Sequence, residues 1–271
     1  FLSFRMAASQ SSYQSSEYYR KTRDVYTGKL FLSEVTASLI TTATNDMDNS
    51  INSFITRTDR RFSNGGGFYD WRDLRYLLFE YEYKKAEETG IEKLGWTPFT
   101  KVEEDKISIE HILPQTPTKL YWRNHFRQYT EDEIKILSGS LGNLLPLSQS
   151  VNSALQNDGF IEKKSSKNIG RRGYEDGSHS EIEVSRQTDW DAQRILKRGI
   201  KLLKFIENRW NIQFKDEAQM IELLHISFVN DGRADVPEIP EPEIEETIVQ
   251  PTDTTSGFSD LKQLRLHFWT N

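Results

Sequence analysis

Glu110 and His111 stand side by side at the end of the apolar run "ISIEH", three residues ahead of Pro114. An imidazole titrates near neutral pH and can take a proton from water. A carboxylate oxygen suits a hard cation such as Mg²⁺, which prefers oxygen ligands and retains waters. His111 is the only histidine of the chain that follows a carboxylate. Further on, Asn143 lies in the Gly-turn "SLGN", and Asn152 opens a helical stretch nine residues later. A side-chain amide can ligate a cation or hold one imidazole nitrogen, fixing which nitrogen accepts the proton. Together these types could hydrolyse a substrate with water as the nucleophile. Singly, each has a plainer reading: a structural strand histidine, turn chemistry for an asparagine after glycine, and an N-cap for an asparagine before a helix.

Such residues meet only if strand, turn and helix bring them together. In a regular strand neighbours point to opposite faces, so Glu110 and His111 share a pocket only if the strand ends and twists at Pro114. "TEDE" at Thr130–Glu133 is a capping box, predicting a short helix over residues 131–137. The run "LLPL" then reads as a second strand, with Pro146 fitting an edge or an end. From Asn152 the pattern is helical, with Leu155 and Phe160 inward. Upstream, residues 1–100 read as a helical lead-in. Trp71, Leu74, Leu78 and Tyr81 recur at helical spacing, and "SNGGGFYD" reads as a loop. Extended structure is expected from Trp96. Residues 101–215 form the expected core, closed by the long helix of "TDWDAQRILKRGIKLLKFIENRW". Residues 216–257 are expected to be an acidic, Pro-rich linker and 258–271 the start of a further helix. The fold class expected is mostly α with a small β-hairpin.

The 271 residues can bury a sizeable core, and a chain without cysteine excludes disulfides and a thiolate zinc site. No run of apolar residues is long enough to span a membrane, and the first residues do not read as a signal peptide; a cytoplasmic location is expected. A net charge of −6 argues against non-specific nucleic-acid binding by the molecule as a whole. The segment "KKSSKNIGRR" (Lys163–Arg172) is nonetheless strongly basic. It reads as a phosphate-contacting strip or as an ordinary solvated loop.

Taken in order, "IEHILPQ", "LGNLLPLS" and "VNSALQNDGFIEKK" resemble the signature of the HNH (His-Me finger) nucleases. Closer still is the likeness to the HNH domain of GmrSD-type modification-dependent restriction enzymes and related phage-defence nickases. The lead-in "LRYLLFEYE" and the closing "WDAQRILKR" extend the likeness over roughly residues 60 to 215. The resemblance implies a ββα-metal nuclease core embedded in a helical domain. It implies His111 as general base, Glu110 and Asn152 as ligands of one Mg²⁺, Mn²⁺ or other divalent cation, and Asn143 as the residue that steadies the hairpin and orients His111. Lys163 would lie near a phosphate, and Lys164, Lys167, Arg171 and Arg172 would flank the cleft and hold DNA phosphates.

The function implied is a metal-dependent DNA endonuclease or nickase of an anti-phage restriction protein, acting on modified phage DNA. Its N-terminal NTP-binding sensor domain would lie outside this sequence, since "SNGGGFYD" lacks the Lys-Ser/Thr of a phosphate loop. Two alternatives remain: an HNH-fold module that binds nucleic acid without cutting it, and a helical scaffold. The sequence leaves the oligomeric state open.

Overall fold

The computed structural model describes residues 15–45, 47–100, 106–165, 171–210, 212–233 and 237. The chain divides into two units, Phe1–Ile239 and Pro240–Asn271. The second lies outside the described residues, and with it the helix expected at 258–271.

Unit 1 is mostly helical, with a small β-hairpin. Helices α1 (Ser15–Tyr26), α2 (Leu32–Asn45) and α3 (Met47–Ser63) lead to a 3₁₀ turn at Gly67–Asp70 and to α4 (Leu74–Thr89). Gly67 adopts φ +55, and a Cβ there would lie 2.7 Å from the Gly139 carbonyl. The glycine run is therefore a loop that also lets two backbones touch. Trp71, Leu74, Leu78 and Tyr81 are all buried, as their spacing predicts. One helical turn, α5 (Thr97–Thr100), replaces the extended structure expected from Trp96. Pro98 falls in its first turn, where a missing N–H costs no helical hydrogen bond.

Strand β1 (Ile107–His111) pairs antiparallel with β2 (Leu144–Ser148), from Ile107 opposite Ser148 to His111 opposite Leu144. A two-stranded ribbon has only edge strands, which is where Pro146 is tolerated. Between the strands lie α6 (Leu120–His125), α7 (Glu131–Gly139) and a 3₁₀ turn at Leu141–Asn143. The Thr130 hydroxyl accepts from the Glu133 amide while the Glu133 carboxylate accepts from that of Thr130, the reciprocal cap that the sequence predicts.

After β2 come α8 (Gln149–Leu155), α9 (Phe160–Lys164), α10 (His179–Ser185) and α11 (Ala192–Trp210). Ile195, Leu196, Leu203 and Ile206 of α11 are buried, and Ile200 packs against the core from its margin. Helix α11 meets the hairpin loop backbone to backbone: a Cβ at Gly142 would lie 1.9 Å from the Ile195 carbonyl.

A single hydrophobic core runs from Phe54 to Val229, across the boundaries expected at residues 100 and 215. The span 216–257, expected to be a linker, contains α12 (Glu217–Leu223) and a 3₁₀ turn at Ser227–Asn230. Asp216 caps α12 by accepting from the Gln219 amide, and Met220, Leu223, Leu224 and Ile226 are buried. That apolar set outweighs the entropy of ordering the segment. Among the described residues no helix is long and apolar enough to cross a membrane.

Candidate active site

His111 and Asn152 line one open cavity of about 740 Å³, although they lie far apart in the chain. Helix α8 follows β2 directly and is capped at Ser148, so Asn152 falls within the helix rather than at its cap. Its Nδ2 donates to Ser108 Oγ at 2.8 Å, which fixes the amide against β1. The opposite wall comes from the 3₁₀ turn and the start of α4, with Tyr69, Asp70, Arg72 and Arg75. The ring of Tyr69 tilts over that of His111, centroid to centroid at 4.5 Å. His111 Nε2 is buried with no hydrogen-bond partner in the structure. Burial, and then the nearby Lys163 charge, pushes the imidazole down to about 4, so it is neutral at pH 7.

Glu110 lines the same cavity as His111. Strand β1 ends at His111, three residues ahead of Pro114, as the sequence leads one to expect. The Glu110 carboxylate is 4 % exposed and accepts from Lys163 Nζ at 2.6 Å and from the Tyr174 hydroxyl at 3.0 Å, both on Oε1. Lys163 also donates to the carbonyls of His111 and Ile112, each at 3.1 Å. Burial pushes the Glu110 carboxyl up and the Lys163 ammonium down, and their mutual attraction opposes both.

This corrects the reading of Lys163 as a phosphate contact. Its ammonium is fully buried, with three acceptors for its three N–H donors. Phe160 and Lys163 lie three residues apart on α9, which puts both on the inward face.

Asn143 is fully buried and uses its whole hydrogen-bonding capacity. Oδ1 accepts from the Leu113 amide and from Trp190 Nε1, and Nδ2 donates to the carbonyls of Leu113 and Ser138. With every donor and acceptor engaged, it fastens the turn two residues past His111 and reaches no reacting atom. Asn143 is thus a positioning residue that steadies the hairpin rather than a group that touches the reacting atoms. Arg198 of α11 fastens the same loop by donating to the carbonyls of Gly142 and Leu144, each at 2.8 Å.

The basic strip is largely consumed inside the protein. Arg171 pairs with Asp158, and Arg172 grips Glu181 with two guanidinium nitrogens. Glu181 is 1 % exposed, so that pair holds the fold together. Lys164 Nζ donates to the Gln187 carbonyl at 3.0 Å. None of these side chains is among those that line the cavity beside His111. Lys167 lies outside the described residues. The cations on the cavity wall are instead Arg72, Arg75 and Lys106, which sequence reasoning missed.

Glu110, Asn152 and Asp70 offer oxygen donors of the kind a hard cation takes. Among the described residues no cluster of three or more His, Asp or Glu could hold a metal ion. The donor set therefore fits a cation that keeps waters and borrows oxygens from its substrate, as Mg²⁺ does.

No curated protein and no solved structure matches the chain. The model of the family described as GmrSD restriction endonucleases, C-terminal domain, matches residues 56–205, the stretch that carries the hairpin, the cavity and most of α11. The chain belongs to that family of restriction endonucleases.

Proposed function

We propose that this domain is an HNH-type DNA endonuclease or nickase whose active site is the cavity between the hairpin and α4. One observation carries the reading: His111 and Asn152 converge on the same open cavity, under a wall bearing Arg72, Arg75 and Lys106.

His111 is the general base. Its neutral imidazole takes a proton from the attacking water, and with Nε2 buried, Nδ1 is the nitrogen left to meet that water. Asn152, held by Ser108, and Glu110, held by Lys163 and Tyr174, would present oxygen ligands to one Mg²⁺ or Mn²⁺. A cation held there would supply positive charge against the charge developing on the phosphate and the leaving oxygen. Arg72, Arg75 and Lys106 hold DNA phosphates and orient the scissile bond without reading sequence. As a member of a restriction family, the domain would cut modified phage DNA under the control of a sensor domain outside this sequence.

A second reading, binding without cutting, is favoured by one contact. Lys163 already occupies the Glu110 carboxylate, and a carboxylate bound that way is less available to a cation. Cleavage of modified and unmodified plasmid DNA with Mg²⁺ or Mn²⁺, wild type beside His111→Ala, separates the two. Metal-dependent cutting lost in the variant supports the nuclease. Equal residual cutting by both proteins removes His111 as the base, and DNA binding with no cutting by either supports the second reading.

A further inference from the structure

The Lys163–Glu110 pair carries no net charge wherever its shared proton sits, and its side chains are 0 % and 4 % exposed. The described lining of the cavity adds one further carboxylate, Asp70, against three cations, Arg72, Arg75 and Lys106. A divalent cation entering alone meets net positive charge from the described lining residues. It also meets a carboxylate oxygen already taken by an ammonium at 2.6 Å and a tyrosine hydroxyl at 3.0 Å. A DNA phosphate reverses the balance. Its negative charge satisfies the wall cations, and its oxygens supply the ligands that the described side chains do not.

Resting on the nuclease reading above, we propose that Lys163 makes cation binding conditional on DNA: it cancels Glu110, so metal and phosphate enter the site in concert and neither completes it alone. Lys163 is in this sense a positioning residue that sets the order of assembly. The coupling is reciprocal, so DNA tightens metal binding by the same factor as metal tightens DNA binding.

The test uses the full chain carrying His111→Ala, so that DNA is bound and not consumed. Fluorescence anisotropy reads affinity for a labelled duplex in Mg²⁺ and in EDTA, and electron paramagnetic resonance reads Mn²⁺ bound to the chain with and without that duplex. The same measurements on His111→Ala/Asn152→Ala give the background from Mn²⁺ held by DNA itself and from screening. The expected result is at least a tenfold tightening of each ligand by the other. Adding Lys163→Met should raise Mn²⁺ affinity of the DNA-free chain about tenfold and shrink the coupling by the same factor, with circular dichroism confirming the fold.

Should Lys163→Met not fold, Arg75→Gln with Lys106→Gln removes positive charge from the wall and should move DNA-free Mn²⁺ affinity the same way. Equal Mn²⁺ affinity with and without DNA overturns the inference while leaving the nuclease reading intact. Coupling unchanged by Lys163→Met, or in its place by the wall variants, overturns it too. Absence of Mn²⁺ from the DNA complex overturns the inference together with the reading beneath it.

Discussion

Two groups of cations in this molecule invite comparison. Five lysines and arginines crowd into residues 163–172, while Arg72, Arg75 and Lys106 are scattered over 35 positions. Lys163, Arg171 and Arg172 are spent on Glu110, Asp158 and Glu181 inside the protein, whereas the scattered three gather on the cavity wall. A run of charge becomes a binding surface only where the fold leaves it without internal partners. In this strip two of the three carboxylates it meets, Glu110 and Glu181, are buried, and buried charges take partners first.

Four experiments probe the two groups of cations and the site between them. The largest expected effect is on the cavity side: His111→Ala lowers cleavage by about 100- to 10,000-fold, the usual contribution of a general base, with duplex affinity kept. A plasmid nicking assay beside a gel shift checks both halves. On the strip side, Arg172→Gln leaves Glu181 buried without its cation. The expected cost is about 3 kcal/mol of stability, read by urea unfolding, with DNA affinity unchanged. Weakened DNA binding in that variant at full stability would erase the contrast.

The third test separates the regions by pH. His111 is held below its unfolded value, so between about pH 6.5 and 4 the unfolded chain takes up a proton that the folded chain refuses. Stability falls as the pH drops through that window, by about 2 kcal/mol after allowance for partial exposure, and His111→Ala removes this limb. Asp158 acts lower. Burial pushes it up, but the hydrogen bonds from Lys119 and Arg171 outweigh that and hold it below its usual range. Its contribution is complete above the ordinary aspartate value and is lost only in stronger acid, and Arg171→Gln weakens that lower limb alone. Denaturant midpoints across pH 2–8 resolve the two. The smallest effect is on the wall itself. Arg72→Gln, Arg75→Gln and Lys106→Gln should each weaken duplex binding severalfold and lower the slope of log affinity against log salt by about 1.

Much of the frame was legible. The Thr130 capping box, the inward set on α11 and the strand–excursion–strand–helix order all follow from local chemistry and periodicity, and the structure shows each. The convergence of His111 and Asn152 follows from a helix that leaves β2 without a loop. What local patterns could not show was pairing. Nothing in "IEKK" announces that the first lysine turns inward to Glu110, although a glutamate in an apolar strand demands some cation and Phe160 marks the inward face of α9. Helix α12 was hidden by the acidic composition around it, yet Asp216 as cap and the spacing of Met220, Leu223 and Leu224 carry its signal. Arg72, Arg75 and Lys106 had none, because their nearness is made by tertiary packing.

The contact at Gly142 bears on how such a domain can change. No side chain separates that loop from α11, so substitution has no lever there: any residue larger than hydrogen collides with main chain instead of a side chain that could give way. Adaptation to a new substrate is thereby channelled to the facing wall, where Arg72 reaches solvent and makes no contact with the His111 ring that its exchange would disturb.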